Sequence, residues 1–196
     1  MNIPIFPLRA VLFPMARMPL QIFEPRYIDM VKQCLKTQTP FGVVRICHGS
    51  EVINAGLQES LDIEYVGTIA NIVDFDALPN NRLKIIVEGG RRFTVKETVI
   101  ARDQLINAEV ELAEMEAAQL IGELHLPMAD MLSELLQHSS VASLGYQLDL
   151  NDAVRVANQL SSLLPIESDL KQELLEQEDP LERMSILEEI IEQLQE

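Results

Sequence analysis

Five prolines, Pro4, Pro7, Pro14, Pro19 and Pro25, fall close together at the start of this chain. Proline has a fixed φ and no amide hydrogen to give to a sheet ladder, so this stretch cannot supply a long central strand. It leaves two short apolar pieces, Leu8 to Phe13 and Leu20 to Phe23, which read as brief, kinked or edge strands that must be buried against something else. At Glu24 the pattern changes. Pro25 suits the first turn of a helix, where its missing donor has no partner to lose, and the carboxylate of Glu24 favours the positive helix end. Tyr27, Ile28, Val31, Cys34 and Leu35 then fall on one face at helical spacing and predict an amphipathic helix ending near Lys36.

Strand signals accumulate from Phe41. A β-rich run to Cys47 is followed by the turn-prone His48, Gly49 and Ser50. Leu61 to Tyr65, Gly67 to Phe75, Leu83 to Glu88, Arg92 to Glu97 and Ile106 to Leu112 come next, with Pro79-Asn80-Asn81 as a hairpin turn. Gly89-Gly90 gives the backbone freedom for a bulge or sharp bend. Five or six short antiparallel strands with such bends predict a partly closed barrel, because closure removes edges that invite aggregation.

After Glu114 the apolar period shifts from two to 3.6. Leu120, Ile121, Leu124, Met128, Met131, Leu132, Leu135 and Leu136 recur at helical spacing, and Pro127 predicts a kink or break among them. Further helices are expected from Asp152 to Leu164 and from Ser168 to Glu176. Asp179-Pro180-Leu181-Glu182 combines an N-cap acceptor, a proline at N1 and an acidic N3, and so starts a final helix lined by Met184, Leu187, Ile191 and Leu194. Four helices with such stripes bury one another as a small bundle. The expectation is therefore an α+β chain with a β-rich part over residues 1–113 and a helical part over residues 114–196.

The block PLRAVLFPMARMPLQIFEPRY, with the helix after it, resembles the amino-terminal substrate-recognition domain of the ATP-dependent Lon proteases. The similarity continues through FGVV at Phe41 to Val44, VGTIANIVDF at Val66 to Phe75, IIVEGGRRFTV at Ile85 to Val95 and LLPIESDLKQELLEQEDPLERMSIL at Leu163 to Leu187. The IFEPRY block is most similar to the short, stand-alone bacterial proteins of that family. The resemblance implies a PUA-like, six-stranded β pseudobarrel with one helix inserted after the second strand, followed by an α-helical subdomain. It also implies capture of unfolded or tagged polypeptides, or of a protease or chaperone partner, in protein quality control.

Catalysis by this chain is not expected. There is no Gly-Lys-Ser or Gly-Lys-Thr triplet with which to cradle ATP phosphates. Lys171 is the only lysine beyond Glu111, and no serine stands at a spacing that marks a nucleophile paired with it. His48, His125 and His138 form no HxxxH or HxH pair and no CxxC occurs, so neither a metal nor a cofactor is expected. The pairs Asp74 with Asp76 and Glu188 with Glu189 read as solvated faces. Cys34 and Cys47 read as small buried hydrophobes in a reducing, cytoplasmic setting.

Net charge separates the two parts. Residues 1–110 carry twelve basic and twelve acidic side chains, whereas residues 111–196 carry three and nineteen, which accounts for the whole net charge of −16. Such a chain repels nucleic acid, and no apolar run is long enough to span a bilayer. Neither nucleic acid nor membrane is an expected partner.

Binding remains. The candidate site is the junction of barrel and helices, where Glu24, Arg26 and Tyr27 form a polar rim with Arg9 and Arg92 near it. The methionines Met15 and Met18, which flank Arg17, offer adaptable apolar contact, while Met128 and Met131 read as core. The competing reading of the rim is structural, with Arg26 paired to a carboxylate and Tyr27 packing its ring. Two other functions stay open. One is a small-molecule pocket or hydrolase on the same scaffold. The other is a docking subunit whose Leu187, Ile191 and Leu194 face either buries in the bundle or pairs two copies as a homodimer.

Overall fold

The computed structural model describes residues 1–48, 62–147 and 149–195. The expected turn at Gly49 and Ser50, the strand start at Leu61 and the side chain of Leu194 lie outside the described residues. Six strands, β1 (Asn2–Leu8), β2 (Arg17–Ile22), β3 (Phe41–His48), β4 (Asp62–Leu78), β5 (Arg82–Ile100) and β6 (Ile106–Leu112), form one sheet in the order β2-β5-β4-β3-β1-β6. A further pairing of β5 with β6 closes five of them into a ring, and β2 hangs from the first half of β5. The helix α1 (Pro25–Thr37) lies between β2 and β3, as expected.

The first strand accommodates its prolines by changing partner. Residues 2–5 pair with β6 and residues 5–8 pair with β3, so each proline has one side without a ladder. Val110 N–H donates to Met1 O at 2.8 Å, which makes Asn2–Glu109 a non-hydrogen-bonded pair and, by alternation, Pro4–Asn107 another. The pairing of β1 with β3 is parallel, whereas the short runs predicted antiparallel strands throughout. The α1 crossover between them makes the parallel course possible.

The run from Leu8 to Phe13 is not the expected strand. Strand β1 ends at Leu8, and residues 9–16 form a loop whose Val11, Leu12 and Phe13 are all buried. Val11, Phe13 and Ala16 join the core of the helical region, while Leu12 joins the core under α1. A segment shared between two cores is apolar throughout without needing strand geometry. Two expected pairs of strands also merge. The runs on either side of Val66 become the single β4, and those on either side of Gly89-Gly90 become the single β5.

The glycines bend β5 without ending it. Thr68 faces Arg92 while Ala70 faces Gly89, so β5 carries one extra residue there. At Gly89 a Cβ would collide with the carbonyl oxygen of Phe13. This close approach lets Met15 N–H donate to Gly89 O at 2.7 Å and Gly89 N–H donate to Ala16 O at 2.9 Å. The loop is thereby fastened to the sheet, with Met15 at φ 59°.

Beyond the sheet lie α2 (Leu126–Gln137), the single-turn α3 (Ser139–Ala142), α4 (Ala153–Leu163), α5 (Ser168–Glu176) and α6 (Pro180–Gln195). Pro127 neither kinks nor breaks a helix. It sits in the first turn of α2, where no intrahelical donor is required, and Leu120 and Leu124 before it are exposed. Asp152 caps α4 by accepting from Val154 N–H at 3.1 Å, and Asp179 caps α6 by accepting from Leu181 N–H at 2.8 Å. Met128 and Leu132 of α2, Ala157 and Leu160 of α4, Leu174 and Leu175 of α5, and Met184 and Leu187 of α6 share one core. Met131 and Ile191 pack against its margin, so the apolar face of α6 is used within the bundle.

Candidate functional site

Glu24 is the N-cap of α1, and its carbonyl accepts from the amides of Tyr27 and Ile28. Its side chain makes no cap bond. The carboxylate instead meets Arg26 at 2.8 Å. Arg26 is buried, donates to Gln104 O at 2.8 Å, and lies with its guanidinium carbon 4.4 Å from the centre of the Tyr27 ring. Tyr27 packs edge to face on Phe6. The three predicted rim residues are thus adjacent, with Arg26 paired to a carboxylate and Tyr27 packed by its ring. Glu24 and Tyr27 border a depression of about 80 Å³ between the ends of β1 and β2.

Arg92 belongs to a different neighbourhood. From β5 it reaches the helical region, donating to Leu175 O at 2.8 Å and Gln177 O at 3.1 Å and pairing with Glu116 at 2.9 Å. Burial lowers its guanidinium below the ordinary value, Glu116 opposes that shift, and nearby Arg183 adds to it. Glu116 also pairs with Arg183, a fully buried arginine, at 2.7 Å. Arg183 donates in addition to Asn158 Oδ1, Leu174 O and Gln177 O. One carboxylate therefore holds two guanidiniums, and the remaining donors of Arg183 end on carbonyl groups.

Above this network lies a groove of about 230 Å³ bordered by Pro14, Met15, Gly89, Gly90, Arg92 and Met115, among others. Met15 is half-buried and Met115 is 76 % exposed, and both line the groove together with the two glycines. Arg91, also on its wall, donates to Ala113 O at 2.9 Å. The groove brings together Met15 and Arg92 of the predicted residues, but not Glu24, Arg26 or Tyr27. Met18 is half-buried on β2 against the core under α1, and Arg9 is exposed in the loop after β1.

Sequence reasoning missed Glu116, Arg183 and Asn158. Glu116 and Arg183 both stand in acidic stretches of the sequence, where nothing marks one charge as buried among many. The one available signal was that Arg183 stands one residue before Met184 and four before Leu187, both buried on the core side of α6. The other two cations of the carboxy-terminal part are half-buried. Lys171 donates to Ser162 O at 2.8 Å, with burial lowering its ammonium, and Arg155 donates to Gln147 O. Lys171 therefore meets a backbone carbonyl at the end of α4. Among the described residues no group of three or more His, Cys, Asp and Glu is placed to hold a metal, and no helix is long and apolar enough to cross a membrane.

Residues 2–193 match the family model for the ATP-dependent protease La (LON) substrate-binding domain. The chain is 28 % identical over 203 aligned residues to the Lon protease of Bacillus thuringiensis, covering 99 % of this chain and 25 % of that protein. It is 29 % identical to the Lon protease of Cytophaga hutchinsonii, covering 94 % and 23 %. It thus spans about a quarter of the length of the curated relatives it matches. The crystal structure of a Lon N-terminal domain protein from Xanthomonas campestris superposes with a TM-score of 0.74 at 29 % identity, covering 95 % of this chain and 96 % of that one. The N-terminal domain of a Mycobacterium avium complex Lon protease shares the fold at a TM-score of 0.61.

Proposed function

The chain belongs to the ATP-dependent protease La (LON) substrate-binding domain family, and from that premise we propose that it recognises polypeptides without cleaving them, through the groove between Met15 and Met115. The observation that carries this reading is the 76 % exposure of Met115 on the lining of the groove that it shares with Met15. A large apolar side chain left in water beside a second one gains by covering, and thioethers adapt to many shapes. The volume of about 230 Å³ lies below the roughly 300 Å³ at which small-molecule cavities begin, and suits single side chains of a chain lying across it. The clients are unfolded or tagged segments, held for a protease or chaperone to act upon. The Arg92–Glu116–Arg183 network fixes the floor, so the groove is preformed on a rigid base.

Titration of a fluorescent, reduced and alkylated polypeptide, followed by anisotropy, tests this. Met115→Glu is expected to weaken binding about tenfold, equivalent to about 1.4 kcal/mol, with the fold retained by circular dichroism. Glu24→Ala serves as the comparison at the smaller depression. Loss of binding there, with Met115→Glu unaffected, would move the site to the Glu24, Arg26 and Tyr27 rim.

A further inference from the structure

Strand β4 outruns the barrel. Phe41, the first residue of β3, pairs with Ala70. Among the described residues no strand lies beyond it against residues 71–78, which pair on their other side with β5. Phe75 faces Ile85 and Ala77 faces Leu83 across that hairpin. The Phe75 amide donates to Asp74 Oδ1 at 2.9 Å, so this donor turns outward and is capped by its own neighbour. Donors alternate along an antiparallel ladder, which turns the Ala77 amide outward as well. Side chains alternate too. Phe75, 56 % exposed, and Ala77 lie on one face, while Asp74 and Asp76, both exposed, lie on the other.

An open edge with an apolar side chain is a template for another strand. A second copy of this chain does not fit. Antiparallel pairing of two such edges about Phe75 would set Asp74 against Asp76 twice, and like charges directly opposite are destabilising. The same carboxylates favour a strand that carries cations. Lys84 faces Asp76 across the hairpin, whereas Asp74 faces Ile86, so Asp74 is the carboxylate with no cross-strand cation. We propose that residues 71–78 receive an extended segment of a polypeptide client, one in which apolar residues alternate with lysine or arginine, as an added strand. This rests on the reading of the chain as a polypeptide-recognition module and names a second contact and a client class for it. A carbonyl of the client takes the Phe75 amide from Asp74, and the freed carboxylate meets the cation next to it. An apolar client side chain meanwhile covers Phe75.

Amide hydrogen exchange, read residue by residue by NMR with a short peptide alternating valine and lysine, tests the proposal. Exchange at Phe75 and Ala77 is expected to slow about tenfold or more with the peptide bound. A peptide with alternate backbone nitrogens methylated should give no slowing, and one alternating valine and glutamate should bind more weakly. Ala77→Pro removes an outward amide without touching the β5 ladder and should reduce binding. Asp74→Ala should erase the preference for lysine over glutamate. Binding without slowing at Phe75 and Ala77, equal binding of the methylated peptide, or association of two copies through this edge would each overturn the proposal. Anisotropy with Met115→Glu reads the groove separately, so an unprotected edge with an intact groove response defeats this inference alone.

Discussion

Under α1 the sheet is covered by Phe6, Tyr27, Ile28, Val31 and Phe41, with the rings of Phe6 and Tyr27 4.3 Å apart edge to face. Under the helical region the sheet is held by Arg92, Glu116 and Arg183, with Asn158 and the carbonyls at the end of α5 completing the set. Both contacts are buried. Their tolerance of change differs, because an apolar contact fades with the area lost, whereas a buried charge deprived of its partner keeps its full desolvation cost. The contact under α1 fixes how much surface is covered. The charged one also fixes which groups meet, since a carboxylate and two guanidiniums have few ways to satisfy one another.

The sharpest way to break this contrast is Arg183→Met, which keeps the approximate length and removes the charge. It takes the Arg183 donor from Asn158 Oδ1 and Leu174 O, while Gln177 O keeps Arg92, and is expected to destabilise by about 3–5 kcal/mol in denaturant unfolding. A cost under about 1 kcal/mol would show that apolar packing replaces the network freely, and the contrast would fail. Next in size is the coupling between the two arginines. Because both use Glu116, the double substitution Arg92→Ala with Arg183→Ala should depart from additivity by about 0.5–3 kcal/mol, whereas independent ion pairs would add. Asp179→Ala removes the cap of α6 and is expected to cost about 1 kcal/mol. On the apolar side, Ile28→Val should cost about 0.5–1.5 kcal/mol and leave the unfolding cooperative.

The smallest expected effect concerns Cys47. Burial and the adjacent Glu64 push its thiol up to about 11 from an ordinary 9.0. The native chain then keeps this proton where the unfolded chain has released it. Its contribution is therefore present below about pH 9 and is lost as pH rises toward 11. Relative to the native chain, Cys47→Ala should show a shallower loss of stability over that interval.

The same contrast explains what the amino-acid sequence discloses. Contacts made of carbon leave periodic traces, and α1 was legible from Tyr27 to Leu35, while local signals of another kind, the cap and proline of Asp179-Pro180, disclosed the start of α6. Pro127 was misread because a proline at the start of a helix and one inside it differ only in where the first turn begins. The loop from Arg9 to Ala16 was misread because a run shared by two cores carries no period of its own. Contacts of charge between distant segments leave no trace, since Glu116 and Arg183 are 67 residues apart and each resembles its solvated neighbours, whereas the local pair of Arg26 with Glu24 was legible. The candidate site was legible as residue types but not as a place. Met15 and Arg92 meet at the groove, Glu24, Arg26 and Tyr27 meet elsewhere, and Met115 joins the groove only because the chain returns past Gly89 and Gly90.

The divided pairing of β1 bears on how the chain is made. The ammonium of Met1 donates to Val110 O, 109 residues along the chain, and β1 is also the partner of β3. Synthesised before both of its partners, β1 can join β3 early, but half of its ladder stays open until β6 has followed. Until then the ring has a gap, and the backbone groups that line it have no sheet partner.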